Sequence, residues 1–256
     1  MTGVIATNAA ELHRRRGATG AAVPCCDVAL DVAGALGDLP TVLGTVEAVA
    51  LLCEAEGRAR EAEGLLEATS ALARATDNRR FLCEHLAGLA RLRAGRGADA
   101  PAEEAARAAL ELARSLGHAP VELEAGLLLG RLRAAGGAGA RDRSVAEIES
   151  RLAGDPGDEE RAALHHALWR LQGDGSPSRA VAADLYRRRH EAEGDDLARR
   201  RVEELTGERL APPPPLAPLA DDLAARPGGL DRLVRRAEEV LVALGPPAGA
   251  RPGRAR

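Results

Sequence analysis

The chain of 256 residues carries almost no aromatic side chains: one Trp, one Tyr and one Phe. Its core must then be filled by Leu, Ala and Val, and base stacking on aromatic platforms is ruled out as a mode of binding single-stranded nucleic acid. Lysine is absent, so every strong cation is Arg. A phosphate-binding loop of the G-x-x-x-x-G-K-[ST] kind needs a lysine and is excluded with it. Arg in place of Lys, beside abundant Ala, Gly and Pro, reads as a GC-rich, bacterial coding bias rather than as Arg chosen for chemistry. No β-branched or aromatic run reads as a strand. No apolar run is long enough to suggest a membrane span, and the opening MTGVIATNAAELHRRRG lacks the apolar segment of a signal peptide. Neither sign of charge prevails: 35 basic and 39 acidic residues are interleaved, for a net −4. That leaves no basic stripe for nucleic acid. The four cysteines, Cys25, Cys26, Cys53 and Cys83, follow no regular spacing. Reduced thiols in the cytoplasm are the expectation.

What is present is a repeat. AVALLCEAEGR ends a helical pattern at Gly57, GLARLRAGRGA at Gly97 and LLGRLRAAGGA at Gly137, each forty residues after the last. AEGLLEATSALAR, from Ala62, matches AEEAARAALELAR, from Ala102, at the same offset, with Leu72-Ala73-Arg74 over Leu112-Ala113-Arg114. Two separate segments keeping one offset define a repeating unit. Each unit reads as two helices: the first stops at a glycine, and the second runs to Asp77-Asn78 or Gly117-His118. Neither helix buries its apolar face alone, so stacked pairs are expected, giving an all-α, right-handed α-solenoid of four to five pairs.

The flanks continue the pattern less regularly. Residues 1–25 are expected to be a flexible segment and residues 26–210 the array. Cys26–Leu39 reads as the second helix of a degenerate preceding unit, Ser144–Gly154 as a shortened helix, and Asp158–Asp174, Ser178–Asp195 and Asp196–Gly207 as the last helices. Trp169 and Tyr186 fall in this end region and are read as packing anchors. Residues 211–228 begin with APPPPLAP, a stiff linker. In residues 229–245, Leu230, Leu233, Val234, Ala237, Val240, Leu241 and Leu244 share one helical face. A helix this short is marginal unless it docks, on the array or on a partner. Residues 246–256 read as a disordered tail.

These helix pairs, above all Leu66–Gly117, resemble tetratricopeptide-type repeats. More closely, they resemble the long-period arrays at the C-terminal ends of bacterial STAND-type ATPase regulators and of some cyclases and kinases. The resemblance covers Thr41–Gly207 and implies a module that binds a partner and controls a catalytic or DNA-binding unit elsewhere.

No catalytic or metal-binding pattern emerges. His165 and His166 diverge by about 100° on a helix, Cys83 and His85 point nearly opposite ways, and no H-E-x-x-H or C-x-x-C occurs. No enzyme activity, metal or other cofactor is expected. The arginine runs Arg187–Arg189 and Arg199–Arg201 are flanked by carboxylates, so ion pairs on solvated faces are expected there. The repeated polar pair is more informative. Glu84 and Arg91 are seven residues apart, as are Glu124 and Arg131, and the two pairs are forty residues apart. They are read as an inter-repeat ladder, Glu84 near Arg131 or Arg91 near Glu124, or else as the lining of a concave groove that grips a carboxylate. The function expected is a protein-binding scaffold or regulatory sensor holding a peptide or helix. A small-ligand sensor, the tail of a regulator whose effector module is absent from this chain, and a degenerate array without function remain as alternatives.

Overall fold

The computed structural model describes residues 2–214, 216 and 229–245. Among these residues there are twelve helices and no strand. They are α1 (Thr2–Arg15), α2 (Thr19–Leu36), α3 (Leu39–Ala55), α4 (Ala59–Ala75), α5 (Arg79–Gly95), α6 (Asp99–Leu116), α7 (Ala119–Ala134), α8 (Ala138–Ala153), α9 (Asp158–Gln172), α10 (Ser178–Glu193), α11 (Asp196–Thr206) and α12 (Leu230–Leu244). Each of the first ten packs against the next, so the chain forms an all-α solenoid.

The turns set the period. Gly17, Gly37, Gly57, Asp77, Gly97 and Gly117 all take left-handed backbone angles, with φ from 54° to 75°. The residue after each one donates its backbone N–H to the carbonyl five positions back: Ala18 to His13, Asp38 to Ala33, Arg58 to Cys53, Asn78 to Ala73, Ala98 to Arg93 and His118 to Ala113, at 2.8–2.9 Å. That bond closes one helix and frees the chain to start the next. The same residue serves as N-cap of the following helix, and Asp38 and His118 do so with their side chains, accepting from Thr41 and Val121. The repeating element is therefore one helix and one left-handed turn, and the forty-residue unit is two of them. An ion pair repeats as well: Arg93 reaches Glu63 at 2.8 Å, and Arg133 reaches Glu103 at 3.5 Å.

Two expectations are corrected. The expected flexible segment at residues 1–25 is helical from residue 2 on: α1 and the first part of α2 occupy it, with Ala6, Ala10, Ala22 and Cys25 buried. The turn at Gly17 has the same geometry as those downstream, but the repeat is hidden there because α1 lacks the Leu-rich pattern. α8 is not shortened. It begins at Ala138, through the Gly/Ala/Arg stretch that the apolar pattern skips.

Odd-numbered helices touch one another along the array, α1 with α3, α3 with α5, α5 with α7 and α7 with α9. No pair of even-numbered neighbours is comparably close among the described residues. The odd helices are thus the tighter, inner layer and the even ones the splayed, outer layer. Small side chains permit the close approach, and every buried residue of α6 is alanine. α12 lies against α2, α3 and α4, in the gap the splayed outer helices leave over α3. Its Leu233, Val234, Ala237, Val240 and Leu241 are buried in one cluster with Leu30, Ala33 and Val49. Gly34 makes room for both Val240 methyls. Arg236 pairs with Asp31, and Asp231 with Arg58 at 2.7 Å. The predicted docking face, Leu230 included, is therefore turned onto the chain itself. The tail expected at residues 246–256, and most of the linker, lie outside the described residues.

α2 is long and apolar enough to cross a membrane by length and composition. Its apolar positions Ala22, Cys26, Ala29, Leu30 and Ala33 are buried in the array.

Candidate partner-binding groove

The inner helices present one stripe each to the inside of the curve. On α3 it holds Gly44, Glu47, Leu51 and Glu54, on α5 Arg80, Glu84 and Arg91, and on α7 Glu124 and Arg131. Steps of three, four and seven residues put each set on one helix face. Arg91 shows that the three stripes face one space: its guanidinium makes a bidentate pair with Glu54 on α3 (2.7 and 3.1 Å) and a third bond to Glu124 on α7 (2.8 Å).

The Arg91–Glu124 rung of the expected ladder is formed. The Glu84–Arg131 rung is not. Glu84 instead accepts from Arg80 at 3.2 Å and from His118 Nε2 at 3.0 Å. His118 Nδ1 accepts from the backbone of Val121, so Nε2 carries the proton. The two groove arginines differ. Arg91 is held by two carboxylates, with its bidentate edge taken by Glu54. Arg131 makes no ion pair among the described residues. Loss of water, with Arg170 and Arg201 close by, holds its guanidinium below the ordinary value.

The groove is therefore polarised. Toward α3 and α5 it is acidic, with Glu47 and Glu84 its least exposed carboxyls. Burial there pushes the Glu47 carboxyl up to about 8, and Glu84, Glu11 and Glu124 add to the rise against the pull of Arg91. His85 lies behind it, fully buried, with burial pushing its imidazole down to about 4. Toward α9 and α11 the groove is basic, with Arg131, Arg170 and Arg201. Glu204 joins Arg170, Arg201 and His166 at 2.6–3.2 Å, and the hydrogen bond from His166 leads in holding its carboxyl down to about 2.

Sequence reasoning missed Glu47, Glu54 and the Arg170–Arg201–Glu204 cluster. Glu47 left a signal: the residues forty and eighty positions later are Ala87 and Leu127, so a carboxyl at this register breaks the repeat. The α9–α11 cluster left only the local Arg201–Glu204 spacing, since the period is lost before it.

The array also closes on itself. The turn after α1 meets the turn before α11. Arg15 lies 3.7 Å from Glu193 and 3.8 Å from Asp195. The Asp196 carboxylate crowds the α-carbon of Gly17. Arg16 donates to the carbonyl of Pro214, 198 residues away. The chain leaving α11 runs along α10, where His190 bonds the carbonyl of Ala211, and then over this seam. The first part of the expected linker is thus a strap lying on the array.

The other candidates resolve plainly. Arg187–Arg189 and Arg199–Arg201 are spent on Glu208, Asp184, Asp158, Glu159, Glu193, Asp195, Asp196, Glu203 and Glu204. His165 turns to Ser178, and His166 to Glu204. Tyr186 is buried, and Trp169 stacks near His166 while donating to Asp174. The four cysteines are free and buried, and burial raises each thiol above its ordinary value. No known family profile and no curated protein matches the chain.

Proposed function

We propose that the chain is a non-catalytic interaction module of the tetratricopeptide-like kind, holding a peptide or short helix against its inner face. The observation that supports this reading is the inner stripe itself. Half-exposed charged side chains from α3, α5 and α7 meet there at Arg91, and the same stripe carries Leu51, a side chain absent from the core clusters of the described residues. α12 occupies the outer gap instead, and among the described residues the inner face is left uncovered. A bound protein segment, with neither nucleic acid nor membrane as partner, is in keeping with the mixed charge of this face. The four free thiols accord with a reducing, cytoplasmic setting.

The test is selection of displayed peptides on the full chain, followed by Leu51→Trp, which fills the groove, and Arg131→Glu, which reverses its basic end. Selected peptides should lose binding to one or both variants. Peptides indifferent to both would refute the groove.

A second reading is favoured by the seam. A ring closed between Arg15–Gly17 and Asp195–Asp196 restricts entry, which suits a small ligand whose binding shifts the curvature. This is the behaviour expected of a sensing tail in a STAND-type regulator or cyclase. Metabolites that raise the melting temperature while no peptide binds would support it.

A further inference from the structure

We propose that Glu47, Glu84 and Glu124 form a subsite for the guanidinium of an arginine carried by a bound peptide. This rests on the groove reading above and narrows it to one chemistry.

The charge balance comes first. The α3–α5–α7 stretch of the groove holds Glu47, Glu54, Glu84 and Glu124 against Arg80, Arg91 and Arg131, the last of them at the α9 end beside Arg170 and Arg201. Arg91 is consumed by Glu54 and Glu124, and Arg80 lies on the exposed flank of Glu84. The acceptor atoms are more specific. Every hydrogen bond to Glu84 and to Glu124 among the described residues goes to Oε1. Both Oε2 atoms and the whole carboxyl of Glu47 accept none there. Three helices thus offer unfilled carboxyl oxygens to one space, the arrangement that a planar fork of five donors can fill.

His85 is the independent observation. It is fully buried, the Leu43 backbone favours its protonated form, neither ring nitrogen completes a hydrogen bond among the described residues, and Nε2 faces the Glu47 carboxyl across 3.8 Å. A buried imidazole with no partner is costly, and the gap to Glu47 is too long to count as a bond. A cation over Glu47 would fix that group as a carboxylate, which His85 could then meet as a donor. The raised position of Glu47 fits the same account. Its neighbours on every packed element are Glu11 from α1, Glu84, His85 and Arg91 from α5, and Glu124 from α7. Only Arg91 among them is a fixed cation, and it is already engaged. An incoming guanidinium would displace the Glu47 proton. The repeat adds one more indication. A packing position held by Ala87 and Leu127 in the following units has been given a carboxyl in this one.

The experiment is calorimetric titration of the full chain with an end-capped tri-arginine peptide, run near neutral pH in two buffers of different ionisation heat. An end-capped tri-alanine peptide and spermine are titrated alongside. Tri-arginine should bind and tri-alanine should not. Glu47→Gln and, separately, Glu84→Gln should each weaken binding about tenfold or more. Wild type should release up to about one proton per peptide and Glu47→Gln none. Gln imitates the protonated carboxyl, and circular dichroism confirms that the variant folds. Tri-arginine binding that is unchanged by both substitutions overturns the subsite, as does Glu47-dependent binding of spermine without the peptide. If selected peptides respond to Leu51→Trp but not to Glu47→Gln, the groove stands and the subsite falls. If neither tri-arginine nor any selected peptide responds to these substitutions, both fall.

Discussion

Asp77 carries a strain that its equivalents avoid. Gly37 and Gly117, one unit to either side, take the same left-handed turn with no Cβ to clash, whereas Asp77 holds φ at 54°. Asp77→Gly should therefore stabilise the fold by up to about 1 kcal/mol, and Asp77→Val should destabilise it by at least as much, as measured by denaturant unfolding. The Gly57 and Gly97 spacing made most of this turn chemistry legible in the sequence, whereas Gly137 keeps the spacing with a different backbone, φ 132°. Glu47 was not legible as a groove residue, because one carboxyl in an alanine-rich helix looks like any solvated one. Its neighbours gather only when α1, α5 and α7 pack around α3. Its pH behaviour has a definite sign. Between about 4.5 and 8 the folded chain keeps a proton that the unfolded chain has lost, so this group makes stability fall as pH rises through that window. Glu47→Gln should match wild type in acid and become progressively more stable than wild type toward pH 8. His85, held down to about 4, gives the opposite slope below its ordinary 6.5 in both proteins and cancels from the difference. A constant stability difference across this range would contradict the assignment.

At the scale of the element, α12 is the clearest case of a helix whose face was readable and whose site was not. Its seven apolar positions marked a docking surface, but nothing in the sequence distinguished docking in cis from docking on a partner. That outcome depends on α2 and α4 splaying apart over α3 and on Gly34 leaving space for Val240. Ala237 is completely buried at the centre of this contact. Ala237→Asp would bury a carboxylate without a partner and should detach α12, since an unpaired buried charge costs more than a short helix gains by docking. Hydrogen exchange should then show loss of protection across Leu230–Leu244 while α5 to α7 remain protected. Retained protection of α12 would show that the contact tolerates the charge. α8 teaches the converse. Its first turns lack an apolar stripe, so they were invisible as helix, yet they are held in place by the packing of α7 and α9.

The whole molecule is held by contacts between residues far apart in the chain. Arg15, Arg16 and Gly17 meet Glu193, Asp195, Asp196 and Pro214, and the strap crosses the same seam. These ion pairs are partly exposed and weak individually, about 0–1 kcal/mol each, and salt screens them. The ring should therefore open more readily than the array unfolds. Arg15→Glu with Arg16→Glu should enlarge the radius of gyration in small-angle scattering with little loss of helicity, and high salt should do the same to the wild type more weakly. Truncation after Leu210 removes the strap and α12 and should enlarge it further. An unchanged radius in the double variant would mean that inter-repeat packing alone sets the curvature.

The sequence by itself determined the helices of the regular repeats, their stops, the forty-residue unit and the amphipathic face of α12. Each of these depends on neighbours within a turn or two, or on a period that any two units share. The tertiary structure alone decided which layer faces inward, how Arg91 is neutralised, where Glu47 sits, where α12 docks, and that the two ends of the array meet. The curvature that brings the ends together is a sum of small rotations at successive helix contacts. No single residue records such a sum, so the seam and the polarity of the groove exist only once all the helices are packed.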